Sequence, residues 1–131
     1  MSKRSSLITQ ITTNIAAHSN VSISSDLPYD SAGDPLYEKN MNVIYVGEQD
    51  IDVEELYGTL DQNPVFQTTT SIPVYLSTDA KVQFDDIETI VANLLIARNT
   101  ITGTVSSNSS YETEISEDVI TYSFEYNFIT V

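Results

Sequence analysis

Toward the end of this 131-residue sequence, Ile120, Tyr122, Phe124, Tyr126 and Phe128 occupy every second position, separated by Thr121, Ser123, Glu125 and Asn127. Five large residues at period two define a β-strand with one face turned into a core. Tyr111–Ser116 supplies a partner strand, Glu117-Asp118 the turn, and Val119–Val131 the long return strand of a C-terminal β-hairpin. A lone hairpin is marginal in water. The rest of the chain must therefore extend the sheet and cover its apolar face.

A second strand signal runs from Val65 to about Thr78. Phe66, Thr68, Thr70, Ile72, Val74, Leu76 and Thr78 share one face, and Gln67, Thr69, Ser71, Pro73, Tyr75 and Ser77 the other. Pro73 has no amide hydrogen for a ladder, so this strand is expected at a sheet edge or with a bulge. As an edge it is a pairing surface for another chain, with Thr69, Ser71, Pro73 and Tyr75 as candidate interface residues. Val21 and Ile23 alternate with serines as a short strand, and Asn42–Gly47, rich in β-branched residues, reads as another. Between them, Asp26–Asn40 is broken by Pro28, Gly33 and Pro35 and reads as loop.

Two apolar stripes predict helices. Leu7, Ile8, Ile11 and Ile15 place one over Ser5–His18, with Ser5 or Ser6 at its start. Phe84, Ile87, Ile90, Val91, Leu94 and Leu95 place the other over Asp85–Asn99. Asp85 or Asp86 would cap it, and Arg98 sits at the end where positive charge is favoured. Gly103 then opens a Ser/Thr/Asn-rich loop through Ser110. The expected fold is α+β: a single, largely antiparallel β-sheet, two helices packed on it and the C-terminal hairpin. One domain over 1–131 accommodates it.

Hydrophobic residues make up 40% of the chain, enough for a core without staples. The sequence contains no cysteine, which excludes disulfides and Cys-ligated zinc. The residues after Met1-Ser2-Lys3-Arg4 are too polar for a signal peptide, and no apolar run reaches membrane-span length, so neither export nor a membrane is expected.

Charge is the strongest compositional signal. Nineteen acids against five bases give −14, and no base follows Arg98. Such a surface repels nucleic acids and anionic membranes beyond direct contact. It keeps a protein dispersed, or it lines a passage along which a polyanion slides without sticking. The acids concentrate over Glu48–Asn63, where Glu48, Asp50, Asp52, Glu54, Glu55 and Asp61 occur with no base among them. Ile51 and Val53 alternate with them, as in a strand or extended arm with one apolar and one acidic face. These six are the candidate lumen or subunit-interface acids.

Site chemistry is sparse. His18 is the one histidine, so a histidine metal cluster is impossible, and its place near a helix C-terminus suits a partial positive charge. No serine stands in a Gly-x-Ser-x-Gly elbow and no Gly-rich phosphate loop occurs. Asp50–Glu55 resembles the start of a calcium loop, but the sixth position needs Gly for its turn and holds Glu55. A weak surface cation site is the remaining metal alternative. A carboxylate-pair enzyme would need a deep cleft with aromatic platforms, and the chain has no Trp. We assign no catalytic, cofactor or metal residue. Of the eight tyrosines, Tyr122 and Tyr126 follow the core pattern. Tyr29, Tyr37, Tyr57, Tyr75 and Tyr111 lie outside it, either edging the core half-buried or serving an interface.

The element order resembles that of the tail terminator (tail-completion) proteins of tailed bacteriophages. The resemblance rests on Leu7–Ala17, Thr68-Thr69-Thr70-Ser71-Ile72-Pro73-Val74-Tyr75-Leu76, Phe84–Arg98 and Tyr122-Ser123-Phe124-Glu125-Tyr126-Asn127-Phe128. It spans nearly the whole chain but contains no invariant short motif, and other neck, minor tail and head-tail connector proteins have similar size and composition. It implies a non-enzymatic virion protein, assembled in the host cytoplasm and forming a homohexameric ring. That ring would end the tail tube, contact the tube protein and the head-neck connector, and let DNA pass through an acidic lumen without specific binding. An alternative of another class is a monomeric acidic binding module, or nucleic-acid mimic, that occupies a basic groove.

Overall fold

The computed structural model describes residues 2–57, 65–101 and 103–131. In chain order they form α1 (Lys3–Asn14), β1 (Ser22–Ser24), α2 (Leu36–Lys39), β2 (Val43–Val46), β3 (Asp50–Tyr57) and β4 (Val65–Asp79). Then come α3 (Ile87–Ile96) with a closing 3-10 turn over Ala97–Thr100, β5 (Ser106–Ser116) and β6 (Val119–Thr130). The architecture is α+β. All six strands form one sheet in the order β1-β2-β4-β6-β5, and β3 pairs with β4 on the flank that β2 also uses.

The sheet is mixed rather than largely antiparallel, because β1 runs parallel to β2. A parallel pair needs a crossover, and the segment between Ser24 and Val43 provides it. Asp26–Asn40, expected as loop, contains α2, so the described residues hold three helices rather than two. The aspartate-rich and proline-broken pattern there hides a helix of one turn.

β4 is not an edge strand. β6 pairs with it from Thr68 to Asp79 without a register break. Its other flank is divided: β3 takes Val65–Ser71 and β2 takes Val74–Leu76. Gly47, Glu48 and Gln49 thus stand opposite Ile72 and Pro73, an extra residue in the flanking chain and not in β4. The Pro73 carbonyl accepts the Gly47 N–H at 2.7 Å. The amide hydrogen that Pro73 lacks would point to this same flank, where the ladder is already interrupted. A proline in a central strand is tolerated for that reason.

Gly47 answers Pro73 from across the gap. A Cβ on Gly47 would stand 2.6 Å from Pro73 Cγ, inside a rigid ring that cannot swing away. Arg4, in the first turn of α1, fastens the junction. Its guanidinium donates to the carbonyls of Val46 at 3.0 Å, Gly47 at 3.1 Å and Ser25 at 3.1 Å. Its backbone amide donates to Gln49 Oε1 at 3.2 Å.

The C-terminal hairpin is longer than the sequence pattern suggests. Ser106–Ser110, expected as loop, continues β5 and pairs with Glu125–Ile129. The long β6 offers ladder groups along its whole length, and pairing satisfies them despite the weak strand preference of serine and asparagine.

α1 and α3 cover one face of the sheet. Leu7 and Ile11 from α1 and Ile90 and Leu94 from α3 pack on Ile44, Val46, Ile72, Val74, Leu76, Phe124, Tyr126 and Phe128. The Tyr126 hydroxyl donates to the Leu94 carbonyl, satisfying the one polar atom of a fully buried ring. α1 starts two residues earlier than expected because the Ser2 side chain accepts the Ser5 N–H at 3.1 Å. It ends at Asn14, so His18 lies beyond it and reaches α3 instead. His18 Nδ1 is 2.6 Å from Asp86 Oδ2, and its Nε2 is 3.0 Å from Asn93 Nδ2. With the Asn93 amide donating, Nε2 is the acceptor and Nδ1 carries the proton given to Asp86. Asp86, at the N-cap of α3, makes no capping bond because its carboxylate is committed to His18. That bond holds its pKa below the ordinary carboxylate value.

Gly47→Ala should destabilise the fold by about 1–3 kcal/mol, the usual cost of forcing an extra methyl into a packed site. Urea denaturation of the two chains measures it; an unchanged midpoint would mean that the Gly47–Pro73 contact can open at no cost.

Candidate functional site

Directly opposed residues in an antiparallel pair share a face. The registers therefore assign every strand residue either to the helix-covered face or to the opposite, open one. Asp50, Asp52 and Glu54 of β3 stand opposite Ser71, Thr69 and Gln67 of β4. Pro73 opposes Glu125 and Tyr75 opposes Ser123 in β6. In β5, Glu112 opposes Ser123 and Glu114 opposes Thr121. All of these lie on the open face. The strands contain no lysine or arginine, so this surface carries acids alone among the described strand residues.

The candidate residues read from the sequence are only partly brought together. Asp50, Asp52 and Glu54 share the open face with Thr69, Ser71, Pro73 and Tyr75. Glu48 sits in the junction between β2 and β3 and lines the same surface. Glu55 opposes Phe66 and belongs to the other face. Asp61 lies outside the described residues. Thr69, Ser71, Pro73 and Tyr75 do not form a free edge, since β4 is paired on both flanks; they form the floor of the open face instead.

A groove of about 460 Å³ runs over this floor, between Glu48 and Asp50 on one side and Glu112 and Glu125 on the other. Ser71, Pro73 and Tyr75 line it from β4. A second hollow of about 400 Å³ adjoins it at Glu48 and Pro73 and extends under Leu27, Tyr29 and Asp30. Among the described residues the ion pairs are Lys39 with Asp30 and Asp34, and Lys81–Asp118, while His18 is hydrogen-bonded to Asp86. The groove acids have no base partner within this set.

Glu112, Glu114 and Glu125 escaped the sequence reading as site residues. Their alternation was visible in the strand pattern, but only the β4–β6–β5 register carries them beside Asp50. The tyrosines outside the core pattern also resolve. Tyr37 stacks on Tyr75 at 4.4 Å between centroids, and Tyr29 packs edge-on against both. The cluster seats the crossover segment on the open face at the β2 end, helped by Asn40 Nδ2 donating to the Tyr45 hydroxyl at 2.9 Å. Asp30 folds that segment by accepting the N–H of Ala32 and of Asp34, both at 2.9 Å. The Asp34 bond first, then Lys39 and Ala32, keep its pKa below the ordinary value. Tyr111, by contrast, remains substantially exposed on β5.

What this face can do follows from its chemistry. Asp50–Glu55 is extended strand rather than a chain curled around a centre, which precludes a calcium loop. No group of three or more acid or histidine side chains among the described residues is arranged to hold a metal ion. Among the described residues no helix is long and apolar enough to cross a membrane. The surface that remains is a shallow acidic trough with an aromatic corner, suited to contact with water, mobile cations or a basic partner. No protein-family model matches this chain, and no curated protein matches it in sequence.

Burial, and then the Tyr29 hydroxyl, raise the Tyr75 pKa to about 12, and raise that of Tyr37 as well. Because the folded value lies above the unfolded one, near 10, the cluster's stabilising contribution is complete below pH 10. It is lost as pH rises toward 12. Absorbance titration of phenolate should show late-ionising tyrosines, and Tyr29→Phe should advance their ionisation. Because burial also raises the pKa of Tyr126, the deciding result is the difference: a titration unchanged in Tyr29→Phe would refute the cluster.

Proposed function

We propose that this chain is a virion structural protein of the tail terminator kind, a non-enzymatic subunit of a ring through which DNA passes. The observation that carries this reading is the open sheet face, with Asp50, Asp52, Glu54, Glu112, Glu114 and Glu125 and no basic strand residue. Turned inward in a ring, such a face repels phosphates at every level of the passage. A polyanion then meets no cationic residue on the strands that could hold it. The helix-covered face would then point outward, where its helices meet other components. Binding to a tail tube and to a head-neck connector is part of this proposal, as is assembly in the host cytoplasm.

The groove beside Tyr75 favours a second reading, a binding module for a basic segment. The two readings differ in their response to salt. A basic partner would be released as ionic strength rises, whereas a ring of like-charged subunits would be relieved of repulsion.

Negative-stain imaging of the purified protein, alone and mixed with tail tubes, tests the proposal. Rings, or tubes capped at one end, are expected. Replacing the six open-face acids by their amides should leave rings intact and slow DNA exit from assembled particles. A chain that stays monomeric and caps no tube under any salt condition would sink this reading.

A further inference from the structure

Among the described residues, the sheet leaves two long strands unpaired on their outer sides, and they lie at opposite ends of the strand order. One is β3, eight residues, beyond the reach of β1 and β2; the other is β5, eleven residues. Residues 50–56 of β3 and 110–116 of β5 are all exposed. Exposed edges of this length are normally blunted by proline, lysine or a bulge. Neither strand contains proline or lysine; β5 pairs without a register shift, and the one irregularity in β3, between Glu55 and Tyr57, lies beyond Ile51 and Val53.

The apolar residues on the two edges match. Ile51 and Val53 of β3 are 53% and 58% exposed, and by register they lie on the helix-covered face, beyond the cover of the helices. Tyr111 and Ile115 of β5 are 44% and 70% exposed and lie on the same face. The charges flanking these edges are opposite. Lys3 of α1 and Ile51 line one hollow, and Glu88 of α3 and Tyr111 line another. Neither has an ion-pair partner among the described residues.

We infer that β3 of one copy adds to β5 of the next, so that the sheet continues from chain to chain with its helix-covered face aligned. This inference rests on the ring reading and supplies its joint. Continuation buries Ile51 and Val53 against Tyr111 and Ile115 and brings Lys3 toward Glu88. Pairing β3 with a second β3 would set Lys3 near Lys3, and pairing β5 with β5 would set Glu88 near Glu88. Only the unlike pairing joins opposite charges, and a head-to-tail contact of this type closes into a ring when its rotation allows. The open faces also become continuous, setting Asp50, Asp52 and Glu54 near Glu112 and Glu114. That like-charge repulsion makes the joint salt-gated: screening shortens from about 10 Å to about 3 Å between 0.1 M and 1 M salt.

The absence of native cysteine makes the test direct. Val53→Cys and Thr113→Cys, both at exposed helix-face positions, are prepared as separate full-length chains, mixed and treated with a short bismaleimide. A linked dimer is expected in the mixture, more abundant at high salt, and largely lost in either variant alone. Val53→Lys should weaken association roughly tenfold or more, a change of about 1.4 kcal/mol, while Val82→Lys, at an exposed turn, should leave it unchanged. Equal linking within each single variant would overturn the inference in favour of a two-fold contact. Oligomers that form without the mixed link would overturn it while leaving the ring reading intact. A chain that is monomeric and unlinked at every salt concentration would overturn both.

Discussion

Pro73 is the residue around which the sheet is arranged. It stands in the middle of β4, the strand that organises the others, and it removes one donor from a ladder that has neighbours on both flanks. The structure places the missing donor on the flank that is interrupted between β2 and β3. Everything near that interruption then has a reason. Gly47 is glycine because any side chain would enter the proline ring. Arg4 reaches from α1 to the carbonyls of Val46 and Gly47 where the chain enters the break.

The same interruption separates two roles along one flank. β2 continues under the helices, and its Ile44 and Val46 are fully buried. β3, displaced by one residue in register, runs past the helical cover, and its Ile51 and Val53 stay exposed. The extra residue keeps the acids Asp50, Asp52 and Glu54 on the open face while carrying the strand clear of the core. A core strand and an outlying arm are thus made from nearly consecutive residues.

The open face shows how a polar surface is assembled from distant segments. Glu48 and Asp50 come from the junction and the arm, Glu112 from β5 and Glu125 from β6. Their common face is a consequence of uninterrupted pairing between β4, β6 and β5, which fixes the side of every residue at once. The ring proposal and the edge-joining inference both use this geometry: the first uses the face, the second the strands that bound it.

Period-two and helical patterns alone were enough to identify β6, β4, β2 and α3, because each places large residues against one core. They also revealed the alternation of acid and apolar residues in β3. Local pattern could not reveal that β4 is central, since Pro73 argues for an edge unless the partner strand is known to break opposite it. Nor could it reveal the strand character of Ser106–Ser110, which follows from the length of β6 and not from serine. The parallel β1–β2 pair, the crossover helix, the tyrosine cluster and the His18–Asp86 contact are likewise tertiary decisions. Each depends on residues far apart in the chain meeting at one place, which no local periodicity encodes. The sequence by itself determined an acidic α+β chain with a core-facing hairpin; only the register of the folded sheet decided which acids share a face and which edges stay free.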